Sequence, residues 1–259
     1  MLQPHSFLWH YLWLGPHVLQ AILAVVLWRR GTHKRFPFFF AYLIYEASEE
    51  LTLWLLDWLP GVSAEAWWSA FCVGVAIEGM LKFAFVLELF FRLVRARPDV
   101  VNLSKWLIGC AGAAMVALAA WAAAHAPIAH QLPIVSYAHT LGQAVYIIGC
   151  GLWLLIFLFA AYFHIAWNSW DFGIALGSSI STCVHLATWA VFANIGSFEK
   201  GYLLDFLNMS TYHVCVLIWF YYLLLPLRPS AAPVRAVSET ETSAPPVSLH
   251  IRKLRPELR

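Results

Sequence analysis

Seven separate apolar runs, each long enough to cross a bilayer, leave this chain few ways to fold. They fall at about 8–28, 36–59, 66–91, 105–124, 133–163, 170–195 and 203–227. A helix needs roughly 20 apolar residues to span a hydrocarbon layer about 30 Å thick. Inside that layer each backbone polar group must be satisfied by its own segment, so the runs predict seven transmembrane helices rather than a soluble core. Composition agrees. The 259 residues are 61% hydrophobic and 12% charged, about half the charge of an average soluble domain. The expected fold class is an all-α, multi-pass integral membrane protein over residues 1–227.

Basic residues in short loops set the expected orientation. Arg29, Arg30, Lys34 and Arg35 follow the first run, and Arg92, Arg95, Arg97 and Lys105 separate the third from the fourth. Both loops are expected in the cytoplasm, with the N-terminus outside and the C-terminus inside. The opposite loops carry Asp57, Glu65, Glu199 and Asp205 with Lys200 as their only cation, and Arg228 follows the last run on the basic side. The first run lacks a basic leader and a small-residue cleavage site, so it reads as a retained helix rather than a signal peptide. The expected location is the inner (cytoplasmic) membrane of a bacterium, and no nucleic-acid partner is expected. Residues 228–259 turn rich in Pro, Ala, Ser and Thr and read as a disordered cytoplasmic tail. Its Arg252, Lys253, Arg255 and Arg259 could touch anionic lipid.

Cys72, Cys110, Cys150, Cys183 and Cys215 all fall inside predicted spans, which gives neither a disulfide framework nor a Cys-based zinc motif. Trp9, Trp13, Trp28, Trp58, Trp67, Trp106 and Trp170 lie near span ends. There an indole can bury its ring and keep its N–H wet, so they read as interface anchors.

The interior is not uniformly apolar. Glu46, Glu49 and Glu50 stand near the middle of the second run, roughly 15 Å at helical rise from either edge of the hydrocarbon. An ionisable group at that depth costs a few kcal/mol or more, so it must face protein, water or a ligand. Tyr42, Glu46, Glu49, Glu50, Leu53 and Asp57 recur at offsets of three and four and are expected on one stripe. Helix 3 follows with Glu78 and Lys82 at i and i+4, the spacing of a direct ion pair; Lys82 could equally pair with a glutamate of helix 2. Other polar faces are His17 and Gln20 on helix 1, and His139, Gln143 and Tyr146 on helix 5. Helix 6 has Ser178, Ser181, Thr182 and His185, and helix 7 has Asp205, Asn208, Thr211, Tyr212 and His213. Taken singly, each reads as a hydrogen bond between helices; together they point to a shared polar interior. Helix 4 has no residue more polar than Cys110 between Trp106 and Ala124 and belongs at the periphery.

The pattern suggests two triplets of like orientation flanking helix 4. Leu51-Thr52-Leu53-Trp54 on helix 2 echoes Leu186-Ala187-Thr188-Trp189 on helix 6, and Arg97-Pro98 echoes Arg228-Pro229. Parallel triplet repeats of this kind occur in small transporters.

Three functions fit the polar interior. Proton-linked transport of a small ligand or ion needs a polar path and a carboxylate able to change protonation, which Glu46, Glu49, Glu50 and Glu78 supply. A sensor would need a separate cytoplasmic protein partner, because the loops are short. A metal-dependent hydrolase would use His139, His185 and His213, which with a carboxylate suit zinc. Heptahelical intramembrane hydrolases are similar in helix count and ligand types, but their paired histidines one turn apart are missing here; haem ligation likewise lacks supporting spacing. Seven helices with an external N-terminus resemble opsins and heptahelical receptors in topology alone. Retinal attachment needs a lysine in the middle of helix 7, and 203–227 has none, so no retinal Schiff base is expected. The residues expected to bind ligand or protons are Tyr42, Glu46, Glu49, Glu50, Glu78, Lys82, His139, Gln143, His185, Asn208, Tyr212 and His213.

Overall fold

The structure is a computed structural model that describes residues 6–95, 101–124, 133–195 and 201–224; of some side chains between 103 and 139 and between 192 and 201, only the backbone is described. The tail expected over 228–259 and the loop residues Arg97, Glu199 and Lys200 lie outside the described residues.

Seven α-helices make up nearly all of the described chain: α1 (Phe7–Arg29), α2 (Pro37–Trp58), α3 (Ala64–Val94), α4 (Val101–Ala124), α5 (Pro133–Tyr162), α6 (Ser169–Ile195) and α7 (Gly201–Leu224). Each boundary lies within four residues of an apolar run. Among the described residues, α1, α3, α5, α6 and α7 are long and apolar enough to cross a membrane. The 22-residue α2 is interrupted by Glu46, Glu49, Glu50 and Asp57.

Local sequence explains the joints. The Ser6 hydroxyl caps α1 by accepting from Trp9 N–H at 3.3 Å. Gly31 closes α1 in the left-handed region at φ +69°, a conformation that only glycine adopts without cost. A single 3-10 turn, Thr32–Lys34, leads to Pro37 at the first position of α2, where its missing N–H is no loss. Glu88 of α3 accepts from the next two donors, Phe38 N–H at 3.1 Å and Phe39 N–H at 3.3 Å. Ser63 caps α3, and Asn168 caps α6 by accepting from Trp170 and Asp171 N–H.

The helices close into a ring. α1 packs on α2, α2 on α3, α3 on α5, α5 on α6, α6 on α7 and α7 back on α1, while α4 leans chiefly on α5 from outside. Val18, Ile22, Val25, Leu154, Leu158, Leu217 and Tyr221 point outward and are exposed, the inverse of a soluble surface and the arrangement a lipid solvent requires. The interior has two unlike halves. Towards the end bearing Arg35 and Arg92, Phe36, Phe39, Phe85, Phe90, Leu152, Ile156, Ile174 and Trp219 fill the ring as a largely aromatic, apolar core. The buried polar residues begin immediately above it.

That basic end is held by charge as well as packing. The Arg92 guanidinium donates to Asp171 Oδ1 at 3.3 Å and to Arg35 O at 3.0 Å, and lies 4.3 Å from the Phe36 ring centre. Arg35 sits over Trp170 at 5.1 Å. Trp170 is accordingly buried, and the reading of it as an interface anchor is corrected: an adjoining arginine covers it. Trp13 and Trp67 are corrected too. Their indole N–H groups donate inside the protein, to Glu50 Oε2 at 2.7 Å and Leu53 O at 3.1 Å, because their helices pack side by side at that level. Trp28 and Trp58 are exposed at helix ends, and Trp106 is exposed in the second turn of α4.

Candidate functional site

The helical period divides the carboxylates of α2. Successive residues are about 100° apart around a helix, so Glu49 and Glu50 cannot both face where Glu46 faces, and the single stripe expected from the sequence opens into three directions. Glu46 is buried towards the ring centre beside Tyr42. Glu50 turns to α1 and accepts from Trp13. Glu49 turns to α3, where Gly74 leaves room for it: a Cβ at that position would overlap the Glu49 side chain. The Tyr45 hydroxyl donates to Gly74 O at 3.2 Å beside it, and Ser48, Thr52 and Ser69 line a shallow groove between α2 and α3.

At the ring centre a polar belt crosses all six ring helices. On α1, His17 Nδ1 lies 2.9 Å from Gln20 Oε1, and Gln20 Nε2 donates to the Tyr212 hydroxyl of α7 at 2.5 Å. The Tyr212 and Tyr42 hydroxyls are 3.2 Å apart, which carries the belt to α2. The Tyr42 ring then lies 5.8 Å from the Lys82 ammonium of α3, which pairs with Glu78 one turn away. Beyond Lys82, at 5.1 Å, is the ring of Tyr146 on α5. Tyr146 rests against His185 of α6 with ring centres 4.9 Å apart, and His185 Nδ1 is 2.9 Å from Ser181 O.

Charge is not balanced along this belt. Glu46 and Glu78 both lie within electrostatic reach of Lys82. Glu78 holds the ammonium directly, whereas Glu46 Oε2 is buried with no hydrogen-bond partner. Two carboxylates therefore share one cation inside the ring, and full ionisation of both leaves one negative charge that Lys82 does not compensate.

Several expected residues lie off the belt. Asn208 Oδ1 accepts from Thr188 at 2.8 Å, a link between α6 and α7. His213 is half-buried, its ring centre 5.7 Å from that of Tyr11. Gln143 is half-buried on α5. The side chain of His139 lies outside the described residues. Among the described residues no three His, Cys, Asp or Glu side chains converge as metal ligands. His185 has already committed one ring nitrogen to its own helix.

A cavity of about 420 Å³ adjoins the belt. Lys82, Tyr42 and Tyr146 line it on the side of the belt, and the exposed Met80, Phe83 and Val116 line it on the outer side. Its volume is within the range of small-molecule sites, about 300–1,000 Å³. Trp219, which closes its back wall, carries no sequence signal that separates it from the other tryptophans. Ser178, Ser181 and Thr182, also on that wall, were legible as a polar face of α6. Compared with protein-family models, curated proteins and solved structures, the chain matches none.

Proposed function

We propose that this protein is a seven-span carrier of the inner (cytoplasmic) membrane, N-terminus outside and C-terminus inside, whose polar belt exchanges protons during movement of a small ligand or ion. The observation that carries this reading is Glu46: a carboxylate buried in the ring, with an unpartnered oxygen, beside a lysine already engaged by Glu78. Such a group is stable with a proton or a bound cation and unstable bare, so ionising it has to be coupled to something else arriving. The clustering of Arg29, Arg30, Arg35 and Arg92 around one end of the ring supports the orientation. The apolar core packed at that end fits a state closed to the basic side, which alternating access requires of a carrier.

The test uses vesicles containing the full chain and a trapped pH-sensitive dye. After an external pH step, proton uptake should exceed that of empty vesicles, and Glu46→Gln should remove the excess while helix content is unchanged. Uptake indifferent to Gln at 46, 49, 50 and 78 overturns the reading and leaves these carboxylates as structural partners of Lys82 and Trp13.

A further inference from the structure

The cavity beside the belt opens sideways. α3 and α4 both lean on α5 with little contact between them, and the residues at the resulting gap, Met80, Phe83 and Val116, are 64%, 39% and 58% exposed. In a bilayer that mouth faces acyl chains, so whatever enters does so from lipid and is itself lipid-soluble. The far wall is different. Thr182 has spent its hydroxyl on Ser178 O at 2.7 Å, but the Ser178 hydroxyl and the Trp219 indole N–H are buried with no partner. Both residues line the cavity, and the indole nitrogen lies against Gly177, the residue before Ser178, which lacks the Cβ that would collide with it. An indole N–H can only donate, so the wall of this cavity holds a buried donor without an acceptor together with a buried hydroxyl without a partner.

We propose that this cavity binds a neutral, lipid-soluble molecule with an apolar tail and a carbonyl head. The carbonyl oxygen accepts from Ser178 and Trp219, and the tail runs between α3 and α5 to the gap at Val116. A pure hydrocarbon would leave both donors unpaired, at the full cost of their desolvation. A carboxylate head would satisfy them but would bring an unpaired charge into a mostly apolar cavity, because Lys82, the cation that lines it, is already committed to Glu78. The inference rests on the interior being a ligand site and not on proton movement.

The test photolabels the full chain in nanodiscs with 2-dodecanone bearing a diazirine in its tail. Labelling is expected on peptides containing Met80, Phe83 or Val116, and unlabelled 2-dodecanone should compete about tenfold better than dodecanoate or dodecane. Ser178→Ala should weaken that competition about three- to tenfold, the value of one neutral hydrogen bond, without lowering the melting temperature, since it deletes an unpaired buried group. Val116→Trp, on an exposed face of α4, should block labelling in a folded protein. Competition by dodecane or dodecanoate equal to that of the ketone overturns the proposal, and so does labelling that neither substitution changes. The dye experiment can fail while this labelling succeeds, and the reverse, so the two readings stand or fall separately.

Discussion

Lys82 is the residue on which most of the interior depends. It pairs with Glu78, sits between the rings of Tyr42 and Tyr146, and lies within electrostatic reach of Glu46. Removing one member of a buried pair strands the other, at about 3–5 kcal/mol. Lys82→Met should therefore lower the melting temperature in detergent sharply, and adding Glu78→Gln to it should recover part of the loss. An unchanged melting temperature in the single variant would show that the pair contributes nothing. This contact was legible in the sequence because both partners are on one helix, four residues apart, where the helical period alone brings them together. The same holds for His17 and Gln20. Trp13 with Glu50, and Gln20 with Tyr212, were not legible, because each depends on how closely two helices approach and at what height.

Among the elements, α6 and α7 pack tightly against each other, and glycine makes this possible. A Cβ on Gly173 would strike the Cβ and ring of Tyr222, and one on Gly177 would strike the indole of Trp219 and come within 3.1 Å of Cys215 O. The two glycines are four residues apart on one face of α6, a small-residue spacing that lets membrane helices meet backbone to backbone. Gly173→Ala should force α6 from α7 and cost about 1–3 kcal/mol, read as a fall in melting temperature. Gly112→Ala on α4 has open space around its Cβ and should not produce such a fall. Equal effects at the two positions would mean that helix propensity, not packing, sets the response. The spacing of Gly173 and Gly177 was the available signal for this contact. The peripheral place of α4 was readable from its missing polar face, since a helix with nothing polar to hide has no reason to join a polar interior.

For the whole molecule, the ring places Arg30, Arg35 and Arg92 at one end, where Arg30 also reaches Leu224 O at 3.5 Å, while Asp57 and Glu65 lie at the other ends of α2 and α3. Reporter fusions to the C-terminus should therefore be active in the cytoplasm; an external C-terminus would mean that one helix, with α2 the first candidate, does not span. The sequence by itself determined the helices and their limits, the polar faces of six of them and the ion pair within α3. These follow from hydrocarbon thickness, helical period and the cost of stranded charge, all of which act along one segment. Only the tertiary structure decided where those faces point: that Glu46 meets the ring centre, Glu49 α3 and Glu50 α1, that an apolar core fills the basic end, and that α3 and α4 part beside a cavity lined by Ser178 and Trp219. Each depends on the rotation and separation of neighbouring helices, which packing sets across the bundle and no single segment encodes.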